Sequence, residues 1–307
     1  MEDSFGKLKR ALRSSHREST GDRTLILIFY VISCLFAVAC LYPFVLMIVS
    51  SFTDEATLVR NGYSLLPAKW SINAYKAVFA SQAVPDAYKV TTIITAGGTL
   101  LSLLLTSMCA YAISGRMLRY RNVIAFIFYF TMLFSGGLVP TYILISKYLH
   151  LRNTLWVYVL PSLVNAWNMF LMRNYFNTLP DSFRESATID GAGDMTILLR
   201  IVIPLSTPAM ATIALFYALG YWNTWMESML YMDSDKLQTL QYLIMKIMRN
   251  ITAAKTIAQQ ASIPMPVPPA NTIRYATALL TIGPIILLYP FLQRYFVAGL
   301  RVGGIKG

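Results

Sequence analysis

Residues 25–51 read LILIFYVISCLFAVACLYPFVLMIVSS, with no charged side chain and no histidine. A bilayer core takes about 20 apolar residues per helix, so this run can cross one unaided. Five more stretches share its character: 90–114, 122–146, 154–172, 201–226 and 275–293. The six hold 141 residues, and all 40 Asp, Glu, Lys and Arg lie in the other 166. Across all 307 residues the chain is 56% hydrophobic and 13% charged, against about 45–50% and ~25% for a soluble domain. A soluble enzyme, a nucleic-acid-binding protein and a disordered chain are excluded. The expected fold class is an all-α membrane protein with six transmembrane helices, so the lipid bilayer is its first partner.

The net charge of +12 matters less here than its distribution. With the N-terminal segment 1–24 inside, alternation puts 114–121, 173–200 and 294–307 on the same side. Those four segments carry 15 of the 26 Lys and Arg, the short loop from Arg116 to Arg121 most clearly. The positive-inside rule then makes both termini cytoplasmic. The expected organisation is a cytoplasmic segment 1–24, a membrane domain 25–300 and a cytoplasmic tail 301–307. Residues 25–51 are too long for a signal-peptide core and no small-residue cleavage site follows, so they read as an uncleaved first span. Cys34, Cys40 and Cys109 all fall inside spans, which suits packing rather than zinc or external disulfides.

What the spans lack is informative. A proton- or sodium-coupled carrier usually keeps an ionisable group within the membrane, and these six have none. Backbone carbonyls can hold sodium, but the simpler source of energy is a partner protein. Six spans are also few for a self-sufficient carrier, and a dimerising half-transporter is expected. Prolines 43, 140, 161, 204, 208, 284 and 290 suit kinked helices or simple tolerance. Gly136 and Gly137 with Pro140 form the densest breaker cluster, which can unwind the third span locally or merely let a neighbour pack closely. The polar side chains are neutral: Asn165, Trp167 and Asn168 on the fourth span; Tyr217, Tyr221, Trp222, Asn223 and Trp225 toward one end of the fifth. Amides beside aromatic faces suit a polyhydroxylated solute such as a sugar, although Trp and Tyr at a span end also serve as interfacial belts.

Between spans four and five, residues 180–191 read PDSFRESATIDG. Ser182 followed by Glu185 is a capping-box pattern, and Gly191 or Gly193 can close the helix as a left-handed cap. A helix of about two turns is expected there, either a linker or a knob for a cytoplasmic partner. Its residues match a dispersed pattern. Glu185, Ser186 and Ala187 are followed after three residues by Gly191, then after nine by Ile201, Ile203 and Pro204. This resembles the EAA loop of ABC-importer permeases, with Ser186 in place of an alanine and Ile203 in place of a leucine.

The likeness extends over nearly the whole chain. Phe134–Ser135–Gly136–Gly137, the continuation Ile189–Asp190–Gly191–Ala192, and the ending from Gln293 to Gly299 and Gly307 are similar to maltose-type sugar permeases. The branch resembled most imports complex oligosaccharides, uronate-rich ones included. The resemblance implies a type I ABC-importer permease in the bacterial cytoplasmic membrane, with a second homologous permease, two ATP-binding subunits and an extracytoplasmic solute-binding protein. It makes Glu185 to Gly191, with Asp190, a coupling helix docked on the ATPase. No GxxxxGK[ST] phosphate loop occurs in the sequence. No cofactor is therefore expected in this chain, ATP and Mg2+ being held by the partner. It is read as a non-catalytic subunit. Within the same class an amino-acid or peptide importer is the alternative, and a stand-alone secondary carrier is a more distant one.

Two segments are expected outside. In 52–89, a short helical stretch falls around Ile72–Phe79. In 227–274, Leu237, Leu240, Ile244, Ile247 and Ile251 recur at spacings of three and four, an amphipathic helix. Prolines 264, 266, 268 and 269 then return the chain in extended form. That helix can lie on the membrane surface; by resemblance, Asp233–Asn271 faces the binding protein.

Overall fold

The computed structural model describes residues 20–80, 82–115, 118–261 and 271–286. Arg116, the proline run and residues 287–307 therefore lie outside the described part, as does most of the N-terminal segment. The described residues are mainly helical, and among them extended pairing is limited to one bridge between Thr53 and Trp70. The chain divides into two compact units, up to Ile72 and from Asn73 onward.

The first unit is dominated by the helix Thr20–Ser51. At 1.5 Å per residue it is about 48 Å long. Its large apolar side chains from Leu25 to Val45 are exposed all round. A helix hydrophobic on every face needs an apolar surrounding, as a bilayer provides. Beyond it, Glu55–Asn61 forms a helix ended by Gly62 at φ 74°. The Thr53–Trp70 bridge is flanked by Asp54 N to Lys69 O at 3.0 Å and Ser71 N to Phe52 O at 2.7 Å.

The second unit is built on the helix Ala83–Ser114. Its buried face is rich in small residues at helical spacing, Ala87, Thr91, Gly98, Ser102, Thr106 and Ala110, beside the larger Val84, Val90, Ile94 and Ile113. In a membrane, small residues let helix backbones approach closely where lipid gives no hydrophobic drive. The helices Thr207–Trp222 and Ala166–Phe176 pack against this face.

Three of the six uncharged stretches are not straight helices. The 122–146 stretch forms Arg121–Leu133 and Leu138–Tyr148, which meet at 111°. The break is at Phe134–Gly137, where Gly137 takes φ 86° and ψ 171°, a region glycine alone occupies comfortably. The double-glycine unwinding read from sequence is thus present. The 201–226 stretch is bent by 88° between Asp194–Leu205 and Thr207–Trp222. Pro204 and Pro208 have no N–H for the carbonyls four residues back, and Ser206 N donates to Val202 O and Ile203 O at 3.0 and 3.1 Å. A π-helical turn at Leu198–Val202 absorbs the loss just before it. The 154–172 stretch, expected as one span, is Trp156–Val159, a 3-10 turn at Leu160–Ser162, and then Ala166–Phe176. The last helix is about 16 Å long, too short for a ~30 Å core. Pro161 and the cap at Asn165 cut it.

By length and composition, the described part holds two helices able to cross a bilayer, Arg23–Ser51 and Ala83–Ser114, or up to four if each bent pair counts as one. Residues 271–286 are helical as well. The amphipathic helix runs Leu240–Ala261, starting after a 3-10 turn at Asp235–Leu237. Its start is fixed by Leu240 N donating to Thr91 Oγ1 at 2.9 Å. Leu240 and Leu243 are buried with Val78, Val84, Ala87 and Trp222, and Ile244 and Ile247 pack against them, so the first turns of its apolar face pack on protein.

Candidate functional site

Two places gather the residues singled out above. The first is a cleft of about 370 Å³, bounded by the loop after Leu160–Ser162 and by Thr207–Trp222 with the turn beyond it. Asn165, Asn168, Tyr217, Tyr221 and Asn223 all line it. Asn165 caps its helix, its Oδ1 accepting from Asn168 N at 3.1 Å; this cap turns Asn168 inward. The tyrosine hydroxyls face the chain rather than the cleft. Tyr217 Oη shares a 2.6 Å hydrogen bond with Thr106 Oγ1 and accepts from Asn165 N at 2.9 Å. Tyr221 Oη shares a 2.7 Å bond with Ser102 Oγ. Their rings, stacked at 6.5 Å between centroids, are what remains for a solute. Asn223 uses its amide internally, donating to Leu219 O at 2.8 Å and accepting from Gln241 Nε2 at 3.0 Å.

Trp222 is not brought to the cleft. Its Nε1 donates to Thr281 O at 3.0 Å and its ring meets Tyr88 edge-on at 6.4 Å. At helical spacing it points about 100° away from Tyr221, into the second apolar cluster. Two residues that matter to the cleft escaped the sequence reading. Gly98 lets the Tyr221 ring pass: a Cβ there would sit 2.8 Å from two ring carbons. Glu227 comes one residue after the 201–226 uncharged stretch and lines the cleft; that edge position was its only signal.

The second place surrounds the short helix Ser182–Ile189. A concavity of about 820 Å³ lies between it, the end of Ala83–Ser114 and the Asp194–Ile197 turn. The capping box does not form. Asp181 is the N-cap, with helical φ and ψ and no side-chain cap bond, so Ser182 already lies inside the first turn and Glu185 is exposed. The other end is as expected: Gly191 adopts φ 79°. Gly191 N donates to Thr188 O at 3.0 Å and Ala192 N to Ala187 O at 2.9 Å, the paired bonds of a Schellman cap. Ala187 is buried, while Glu185, Ser186 and Asp190 are exposed. Ile201 and Ile203 are partly buried against the main apolar cluster, and Pro204 is exposed at the bend. The helix is held by Arg184, whose Nη2 donates to Ser114 Oγ at 3.0 Å.

A family model described as a binding-protein-dependent transport system inner membrane component matches residues 98–302. The chain belongs to this family. Both places just described fall within the matched residues of this permease. The permease is 36% identical over 286 residues to the polygalacturonan/rhamnogalacturonan transport system permease protein YtcP of Bacillus subtilis, covering 93% of this chain and 99% of that one. It is 28% identical over 276 residues to the arabinooligosaccharides transport system permease protein AraQ of Halalkalibacterium halodurans, with 88% and 93% covered. Among solved structures, it resembles a chain in the crystal structure of a bacterial ABC transporter involved in the import of the acidic polysaccharide alginate. There the TM-score is 0.80 at 30% identity, with 92% of this chain and 100% of that chain covered.

Proposed function

We propose that this permease is one half of the translocation path of an ATP-driven, binding-protein-dependent oligosaccharide importer in the bacterial cytoplasmic membrane. The observation that carries this is the end-to-end match to permeases whose names specify oligosaccharide or polysaccharide transport. The cleft supports it with neutral amides beside tyrosine rings. Its partners in this reading are a homologous second permease, two ATP-binding subunits and an extracytoplasmic solute-binding protein. The Ser182–Ile189 helix is the element that meets the ATPase, with Glu185, Ser186 and Asp190 on its free surface. ATP binding draws the ATPases together, the short helices follow, and the bends at Ser206 and Gly137 let the helical segments swing. ATP and Mg2+ stay with the partner; this chain transmits the motion.

The test is ATPase activity of the complex, reconstituted with the permease, ATPase and binding protein encoded beside it, against neutral and uronic oligosaccharides. Stimulation requiring both the binding protein and one sugar class is the expected result. Stimulation by peptides or amino acids alone overturns the solute. Failure of any ATPase to assemble with the chain overturns the whole reading.

A further inference from the structure

The cleft has an electrostatic character of its own. Among the described residues that line it there is no Lys or Arg, and the one carboxylate is Glu227. Glu227 is half-buried in the first turn of the helix Met226–Tyr231. Among the described residues it makes no hydrogen bond or ion pair, although the Tyr158 and Tyr231 rings feel its charge.

Asn168 is the second unusual group. Only 6% of it is exposed, and its backbone N–H is taken by the Asn165 cap. Its side-chain amide makes no hydrogen bond among the described residues, yet the residue lines the cleft. Its amide opens onto the cleft with both its donor and acceptor capacity free for a ligand. The other lining amides are engaged within the chain: Asn165 through its capping oxygen, Asn223 in its bonds to Leu219 and Gln241. Asn168 and Glu227 thus have hydrogen-bonding capacity the chain leaves unused, as do Ser162 Oγ, Trp225 Nε1 and the Asn165 amide nitrogen at the same cleft; of these, Glu227 alone is charged and Asn168 alone is almost wholly covered.

Their chemistry is complementary to one kind of ligand. A carboxylate only accepts, and an amide both donates and accepts. A pyranose ring presents hydroxyls that do both, and the largely buried Tyr217 and Tyr221 rings, where they line the cleft, offer its apolar face a narrow edge of surface. A uronate carboxylate would bring a second negative charge beside Glu227 with no cation in the cleft to offset it. Like charges in a partly desolvated site disfavour the ionised pair. We propose that this cleft is a contact site for an uncharged pyranose unit, with Asn168 and Glu227 bonding its hydroxyls. Glu227 is its specificity-determining residue, excluding a uronate from that position. The proposal rests on the oligosaccharide reading above. It separates this permease's own contact from the acidic polysaccharides named for its relatives.

The experiment is uptake by the reconstituted complex of a neutral and a fully uronic oligosaccharide of equal length. Each is supplied at a concentration that saturates the binding protein, so turnover reports the permease step. The wild type is expected to turn over the neutral sugar faster. Glu227→Gln should lower neutral turnover about tenfold, the worth of one hydrogen bond to a charged group, while leaving or raising the uronic rate. Glu227→Lys should reverse the preference, and Asn168→Ala should slow the neutral sugar as Glu227→Gln does. A merely structural role would lower both rates together, so the ratio is the deciding readout. If sugars are transported but the neutral-to-uronic ratio stays within about twofold in both Glu227 variants, the site assignment is wrong and the importer reading survives. If neither sugar is transported by any form while a peptide is, both fall.

Discussion

Arg184 sets its guanidinium carbon 4.8 Å from the centre of the Tyr111 ring, while its Nη2 donates to Ser114 Oγ at 3.0 Å. Tyr111 Oη in turn donates to Asp194 Oδ1 at 3.3 Å. The short helix Ser182–Ile189 is therefore pinned to the last turn of Ala83–Ser114. Further along that same helix, Thr106 and Ser102 hold the hydroxyls of Tyr217 and Tyr221. One helix thus touches the short helix at one end and, partway along, the two tyrosines that line the cleft.

Arg184→Ala should break that pin. A cation–π contact is worth about 0.5–2 kcal/mol and the hydrogen bond about 1 kcal/mol, enough to loosen the joint without unfolding a helix bundle. The expected outcome is normal membrane insertion with a several-fold smaller sugar stimulation of ATPase. Arg184→Lys keeps the charge but loses the planar fork, and should fall between. Full stimulation in the alanine variant at wild-type expression would show that the pin does not carry motion.

Glu185→Ala separates docking from stability. Glu185 is exposed and forms no capping box, so its removal should change thermal stability of the complex by no more than about 0.5 kcal/mol. Stimulated ATPase should nonetheless drop, because in the proposed reading the carboxylate faces the ATPase. A variant that loses melting temperature and stimulation together would point back to a structural role.

These two predictions show how far the sequence alone reaches. The uncharged stretches, the family resemblance and the Gly191 cap are legible because each depends on local composition or on one residue's backbone freedom. The capping box is not, since Ser182 against Asp181 as first residue is decided by the incoming chain, and Asp181 is as good an N-cap residue as Ser182. The bend at Ser206 needs Pro204 and Pro208 to act together, whereas each alone is compatible with a straight, kinked span. Trp222 and Tyr221 are neighbours in sequence but lie on different faces; only packing against Thr281 and Tyr88 sorts them. Gly98 has no local signal at all, because its role is defined by a ring 123 positions later.

Gly98→Ala is the most direct test of that packing. A Cβ at 2.8 Å from the Tyr221 ring must displace the ring or separate two helices. Overpacking of this kind costs about 1–3 kcal/mol. The complex should melt lower, and turnover should fall because the ring lines the cleft. Adding Tyr221→Ala removes the obstacle, so the double variant should be less destabilised than the two single effects summed. Strict additivity would show that Gly98 and Tyr221 do not press on one another.

The link between residues 150–154 and 231–239 makes a prediction with a definite sign in pH. Asp233 accepts from Arg152 Nη2 at 2.7 Å and from Asn153 Nδ2 at 2.9 Å. The hydrogen bond from Arg152 first, then that from Asn153, hold its carboxyl below the ordinary carboxylate range. A depressed value in the closed link means that Asp233 supports it fully above the ordinary pKa of about 3.9. That support is lost as pH falls through this value toward the lower one. Both side chains are about half exposed, so solvent screens the pair and the effect is small. Asn153 limits it further: Asp233 N donates to Asn153 Oδ1 at 2.7 Å, and Asn153 N donates to Tyr231 O at 3.1 Å, neither of which titrates. Amide exchange in 231–239, corrected for intrinsic rates, should therefore be level from about pH 8 to 5 and quicken modestly below about pH 4. Asp233→Asn should flatten that dependence, whereas Asn153→Ala should raise exchange at every pH. Exchange that slows on acidification would contradict the assigned sign.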